Sequence, residues 1–406
     1  MFYLRIVILN IRRYKLKSIL NILICALIVI LLNLYMANMQ ASQKQLSDLA
    51  VALPVSARVS NVDGSESVGL EIRKQTIIQL QSSPYVSGLA YTTQLMAGLG
   101  DFPSEEWQKY LNIAVIGVNS VNAIPTLPLG NITLAGGVTL DFLQSKEAQC
   151  LADEQFLQQN KLAVGDTIVL SLNYYRYAPD GFELRLRPLG LYSFKIVGSV
   201  APWDQMSSSL VPQVILPVNW TQETFAGAGV EFYADSAAFT VSDALKLNAF
   251  KAQMQEFGLK SVQATAPLSH NGDALVVDDG NFVKAADHLK ENLSLLTVFL
   301  YFILIIVAFT GYITSYLLMQ SRRPEFAIMR SLGTSKKACF GTLFTESVTL
   351  QMIGGLLGFL VAMLMRTVSV DAIPVIIAVL FFMVGTVAAL LLLSRFSVMA
   401  ILSRND

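Results

Sequence analysis

Few residues in this chain have types and spacing that could do chemistry. His270 and His288 could ligate a metal or a haem, but each lacks a second ligand at metal spacing and fits a surface position. Asp278–Asp279 could bind a cation or form an exposed acidic turn ahead of a helix. Tyr174, Tyr175 and Tyr177 could contact a hydrophobic ligand; the edge of a strand and loop explains them equally well. Cys25, Cys150 and Cys339 are far apart, at most one of them outside apolar spans, so neither an intrachain disulfide nor a zinc site is expected. There is no G-x-S-x-G nucleophile turn and no H-E-x-x-H helix, so a membrane-anchored enzyme lacks a catalytic constellation. There is also no G-x-x-x-x-G-K-[ST] phosphate cradle, so no ATP or magnesium site is expected in the chain.

The densest chemistry lies in residues 322–364. The spacing predicts a short amphipathic helix with Phe326, Ile328, Met329 and Leu332 on its apolar side. Arg322, Arg323, Glu325, Arg330, Lys336 and Lys337 would stay polar. Pro324 suits a first helical turn and Gly333 a C-terminal end. Such a helix can lie in a groove on a partner, or serve as a basic loop held at anionic lipid. Downstream, Gly354-x-x-x-Gly358 would let another helix approach closely.

These residues must be positioned by membrane helices. Of 406 residues, 53% are apolar and only 14% charged, and mean hydropathy is +0.52. That composition nearly excludes a fully soluble protein, and the long apolar stretches exclude disorder. Zero formal net charge gives no global signal for nucleic acid. Charge-free windows predict four transmembrane helices, near 18–38, 293–319, 345–365 and 372–394. A buried core helix is the alternative for the third. The first has an apolar run longer than a signal-peptide core and no small-x-small cleavage site, so it reads as a retained anchor.

Basic residues set the orientation. The 1–17 segment carries Arg5, Arg12, Arg13, Lys15 and Lys17, and the 320–344 segment carries Arg322, Arg323, Arg330, Lys336 and Lys337. Arg395 and Arg404 lie in the 395–406 tail. All three segments are expected in the cytoplasm, with 1–17 either an amphipathic helix on the inner membrane surface or an ordinary basic flank. Residues 39–292 hold 25 acidic and 16 basic residues and form the expected outer domain; the outer loop around Arg366–Asp371 is very short. No Gly or Pro occurs in 1–53 or in 281–310, so spans one and two are expected to continue outward as stalk helices at both ends of that domain.

The outer domain, about 55–280, reads as α+β, inserted between the first two spans. Strands are predicted at 112–119, 166–172, 192–200 and 213–218, and helices at 66–82, 151–162 and 242–257. A turn is expected at Pro179–Asp180–Gly181.

The 322–364 stretch closely resembles the FtsX/MacB-type permease domain of ABC transporters, the type VII or mechanotransmission class. That family carries R-x-x-E-(I/F)-(G/A)-I-x-R-(A/S)-(L/V)-G at this place, then an acidic residue at the start of the next span and small residues along it. Here Arg322, Glu325, Phe326, Ala327, Ile328, Arg330, Ser331, Leu332 and Gly333 fit the first part, Glu346 the acidic position, and Gly354, Gly355 and Gly358 the small face. Val164–Gly165–Asp166, with strands on either side, resembles the family's outer-domain turn; Pro324 and the segment 201–280 depart from the pattern. The resemblance implies a non-hydrolysing permease whose 322–333 segment couples to a separate ABC ATPase dimer that binds ATP and magnesium. It also implies pairing with a second or related permease, contact with membrane lipids, and an outer adaptor in some relatives. Export of a hydrophobic or amphiphilic compound, a peptide or a lipid-linked substrate is the leading implication. The other is a non-transporting relay controlling an outer partner such as a cell-wall hydrolase; the size of the outer domain favours the transporter.

Overall fold

A computed structural model describes residues 13–101, 110–124, 127–178, 183–202, 212–267, 269–364 and 372–393. Most of the expected 1–17 surface helix, the 179–181 turn, the 366–371 loop and the 395–406 tail lie outside the described residues. The chain divides into two compact units, Met1–Leu49 with Lys284–Asp406, and Ala50–Val283.

Long helices build the first unit. Helix α1 is Lys15–Ala52. Later in the chain come Gly280–Gln320, Arg323–Ser331, Lys336–Leu364 and Ala372–Leu393, called α6 to α9 below. Four helices, all but the short α7, are long and apolar enough to cross a membrane. Helices α1 and α6 have 38 and 41 residues. At 1.5 Å per residue they run to about 57 and 62 Å, well beyond a bilayer core of about 30 Å. Helix α1 contains no Gly or Pro and α6 has none from 281 to 310, so neither is interrupted over those stretches. They touch through the Tyr35 hydroxyl, which donates to the Leu296 carbonyl at 2.5 Å.

Two apolar clusters hold this unit. One joins Cys25, Val29 and Leu32 to Val307, Ala378 and Phe382. The other joins Met319, Phe326, Cys339, Leu343 and Ala389. Between them runs a buried polar seam. Gln351 donates to Thr386 Oγ1 at 2.7 Å, Ser315 and Thr386 share a hydrogen bond at 2.8 Å, and Cys25 Sγ donates to the Gln351 carbonyl at 3.3 Å. The side chains of Ser315, Gln351 and Thr386 are fully buried; their mutual hydrogen bonds offset part of the cost of placing them in an apolar bundle, while Gln351 Oε1 is left without a partner.

The second unit is a mixed sheet with short helices. Its strands are β1 Ser56–Ser60, β2 Ile72–Arg73, β3 Val86–Leu99, β4 Ile113–Val118, β5 Ile132–Leu134, β6 Gln149–Asp153 and β7 Thr167–Tyr177. After them come β8 Leu184–Val200, β9 Val214–Pro217, β10 Tyr233–Ala234, β11 Ser236–Val241, β12 Lys260–Ser261 and β13 Ala274–Asp278. The helices are α2 Lys74–Ser82, α3 Glu154–Asn160, α4 Val218–Gly227 and α5 Leu247–Glu256. Eleven strands join in one sheet, ordered β12-β13-β1-β11-β3-β4-β9-β6-β8-β5, with β7 pairing to both β3 and β8. The pairings β3-β4-β9-β6-β8-β7 therefore close on themselves, and Val118, Phe142, Leu151, Val197 and Ile215 fill one core of this unit. Strands β2 and β10 form a separate two-stranded sheet.

All three expected helices begin later than their patterns; the 242–257 pattern becomes α-helix at Leu247, after a 3-10 turn at Ala244–Lys246. The 66–82 pattern becomes helix only from Lys74, because Gly69 takes a left-handed turn and the Leu70 and Glu71 amides bond the Asp235 and His270 carbonyls. The 151–162 pattern opens as strand β6; Asp153 then caps α3, accepting from the Phe156 amide at 3.1 Å.

Candidate functional site

Helix α7 and the residues against it are built by capping and burial. Pro324 lies in the first turn, and the C-terminal end is a Schellman closure. The Gly333 amide bonds the Arg330 carbonyl and the Thr334 amide bonds the Met329 carbonyl, both at 3.1 Å, with Gly333 at φ +87°. Only a residue without Cβ adopts that angle without strain. Ser335 then caps α8, its hydroxyl accepting from the Ala338 amide at 3.3 Å.

The apolar side expected of α7 is split in two. Phe326 is buried against Phe340, with ring centroids 5.4 Å apart, and Met329 packs beside it. Ile328 and Leu332 instead face outward, 57% and 80% exposed. The helical period explains the split: 326 and 329 lie on one side, 328 and 332 on another. Ser331 sits beside the exposed pair, its hydroxyl returning to the Ile328 carbonyl at 2.8 Å. Arg330 donates to the Thr334 carbonyl at 3.0 Å and so braces the turn. The side chain of Ala327 lies outside the described residues.

The polar side also differs from expectation. Arg322 is buried rather than solvent-facing, only 2% exposed, and forms an ion pair with Glu346, 1% exposed. The sequence pattern could not show this, because the two stand 24 positions apart on different helices. Burying two charges costs several kcal/mol per ion, which only close mutual contact offsets. The guanidinium also lies over the Tyr14 ring, 4.9 Å from its centroid. Tyr14 in turn donates to Glu325 Oε1 at 2.9 Å, and Arg13 pairs with the same oxygen at 3.2 Å. Glu325 thus clasps the start of α1, and Arg322 and Glu346 tie the end of α6 to α8.

The glycines of α8 face two neighbours. A Cβ on Gly354 would stand 2.7 Å from Cys25 Cβ, and one on Gly358 2.6 Å from the Ala26 carbonyl oxygen, so both allow α1 to approach. Gly355 looks toward Val379 of α9 instead. Sequence reading missed a second such crossing: a Cβ on Gly311 would stand 2.8 Å from Phe382 Cα, and one on Gly385 would fall on the backbone of α6. Its signal, two small residues inside apolar spans, was visible but unpaired.

The other candidates resolve as follows. His270 is not a lone surface residue; its Nδ1 lies 3.0 Å from Glu66 Oε2 and its ring stacks on Tyr177 at 3.9 Å. His288 is exposed on α6. Asp279 pairs with Lys251 at 2.5 Å. All three cysteines are free and buried; burial pushes the Cys150 thiol up to about 12. Among the described residues no group of three His, Cys, Asp or Glu could hold a metal ion.

Residues 297–404 match the family described as FtsX-like permease C-terminal. The resemblance read from 322–364 therefore extends over this stretch: the second half of α6, with α7, α8 and α9, is similar to the FtsX-like permease family, in a chain with four membrane-length helices among the described residues. No curated protein matches the chain. Among solved structures, the periplasmic region of MacB from Actinobacillus actinomycetemcomitans shares 13% identity at a TM-score of 0.31, covering 58% of this chain and 92% of its own. A domain named as that of a permease protein from Porphyromonas gingivalis shares 13% identity at a TM-score of 0.28, covering 55% of this chain and 85% of its own. At these scores the two likenesses carry no weight for fold or function.

Proposed function

With an FtsX-like permease segment at 297–404 as the premise, we propose that this chain is the permease subunit of an ABC transporter. In this reading it holds no nucleotide itself. A separate pair of ATPase subunits binds ATP and magnesium, and two permease chains, identical or related, complete the complex. Both termini and α7 lie in the cytoplasm, and the sheet unit lies outside the cell membrane.

The observation that carries the reading is the two-sided character of α7. One side is anchored by Phe326, Arg322 and Glu325; the other presents Ile328 and Leu332, one helical turn apart, to solvent. Apolar anchors at i and i+4 on a short helix suit the groove of a partner protein. A helix held this firmly passes a push on its outer face to α8 through the buried ion pair and to α1 through the Glu325 clasp. Helices α1 and α6, far longer than a bilayer requires, would carry that motion outward and rearrange the sheet unit. In this reading the chain takes part in export of a hydrophobic or amphiphilic compound, a peptide or a lipid-linked substrate.

The test is co-purification of the full chain with its ATPase, followed by ATP turnover in the reconstituted complex. Leu332→Asp and Glu325→Lys are expected to reduce substrate-stimulated turnover by about tenfold, a loss of ~1.4 kcal/mol of coupling, while the chain still inserts. Unchanged stimulation, or labelling of an Ile328→Cys chain from outside the cell, would overturn the proposal.

A further inference from the structure

The sheet unit contains a cavity of about 170 Å³ that plays no part in the coupling proposal. Its walls are aromatic: Tyr174, Tyr175 and Tyr177 from β7, Tyr233 from β10 and Phe225 from α4. Tyr174 meets Phe225 edge-on, with centroids 5.3 Å apart. Three charged side chains share the lining, Glu71, Arg176 and Asp235.

These charges do not balance. Arg176 is engaged three times over: it pairs with Glu71 at 3.6 Å, donates to the Glu231 carbonyl at 2.5 Å, and lies 4.1 Å from the Tyr233 ring centroid. Glu71 is further fixed by the Tyr177 amide at 3.1 Å. Asp235 receives only a backbone donor, the Gln94 amide on Oδ2. Among the described residues no basic nitrogen lies within ion-pair distance of Asp235, and its Oδ1 has no hydrogen-bond partner.

A desolvated carboxylate without a cation is costly. Asp235 is half-buried and opens on the cavity, and desolvation of its carboxyl group pushes its pKa up to about 7. Aromatic faces beside a carboxylate favour an organic cation, because the ring quadrupole attracts a weakly hydrated ammonium. A metal ion would require several oxygen ligands, and only Glu71 and Asp235 offer carboxylates here. Drug-sized ligands fill about 300–1,000 Å³, so this volume suits an ammonium on one ring or a short chain.

We propose that the cavity between β7, β10 and α4 is a binding site for a protonated amine on a small apolar body, with Asp235 as its counter-ion and Tyr175, Tyr177 and Tyr233 as its walls. The amine occupies the place of the missing cation, while Arg176 stays with Glu71. The inference goes beyond the coupling proposal and needs no ATPase. Failure of amine binding leaves the coupling reading standing, and the reverse also holds.

The test uses the full chain in micelles of an uncharged sugar detergent, with benzylammonium as probe and benzyl alcohol as its neutral match. Binding is read by calorimetric titration. Benzylammonium is expected to bind about tenfold or more tightly than benzyl alcohol, and Asp235→Asn to erase that preference, since a charge-assisted contact is lost. Glu223→Gln on α4, which removes a surface pair with Lys146, should leave binding unchanged. Should Asp235→Asn fail to elute as the native chain, Leu184→Trp decides. Leu184 is 49% exposed at the cavity wall, and an indole there is expected to exclude the probe. Equal affinity for the alcohol, full amine binding to a folded Asp235→Asn chain, or undiminished binding to Leu184→Trp would overturn the proposal.

Discussion

Glu346 in the helical unit is fully buried and Asp235 in the sheet unit is half-buried, and only Glu346 has a cation against it. Arg322 reaches Glu346 from another helix, so that pair is closed and structural. Asp235 has an amide on one side and a cavity on the other. A buried charge that is matched within the fold holds elements together. One that is left unmatched at a cavity is a standing cost, and a ligand can relieve it. The contrast separates a joint closed within the fold from a carboxylate left open to a cavity.

The sharpest way to break the contrast is to remove half of the closed pair. Glu346→Gln should destabilise the helical unit by about 3–5 kcal/mol, because Arg322 is left buried and uncompensated. The double change Arg322→Met with Glu346→Leu should recover most of that loss, read as the thermal midpoint in micelles. Equal losses in the single and double variants would mean that compensation is not what the pair provides.

A smaller effect is expected where α8 meets α1. Gly358→Leu drives a side chain into the Ala26 backbone and should cost about 1–3 kcal/mol. Gly341→Ala on the same helix meets nothing within 4 Å and should be tolerated. Similar losses for both would show that helix propensity, and not the crossing, governs these positions.

At Asp235 the sign reverses. Its folded pKa, about 7, lies above the ordinary 3.8. The stabilising bound proton is therefore fully present below the ordinary value and is lost as pH rises through about 7. Arg176 opposes this shift and Glu71 adds to it; Tyr175 and Tyr177 face the same carboxylate. Asp235→Asn imitates the protonated form, so at pH 8 it should raise the sheet unit's midpoint by roughly 2–4 °C for each ~1 kcal/mol regained. In acid, below the ordinary value, the gain should vanish. A gain that persists unchanged in acid would point to packing rather than charge.

Leu332→Asp should do least to stability, within about 0.5 kcal/mol, because the residue touches solvent and little else. Its expected effect is on coupling alone. A large fall in the midpoint would mean that this face is part of the fold.

Much of this was legible in sequence. Strand β4 was visible in the alternation at 112–119, and β9 in the run at 213–218. The start and end of α7 were visible in Pro324 and Gly333, since local backbone chemistry decides them. The division of α7 into an anchored and an exposed side was not, because Phe326 and Ile328 are equally apolar and only their neighbours distinguish them. His270 looked solitary because its partners, Glu66 and Tyr177, come from distant parts of the chain.

Hydropathy, charge-free length and turn chemistry are properties of consecutive residues, so the sequence alone determined four membrane-length helices, a mixed α/β unit, and a short helix opened by Pro324 and closed by Gly333. Which charges meet is a property of residues far apart. Tertiary structure alone decided that Arg322 closes on Glu346, and that Arg176 is held by Glu71 while Asp235 is left facing a cavity. The reason is that a buried ion's energy depends on what the fold places within a few ångströms of it, and no local pattern encodes that.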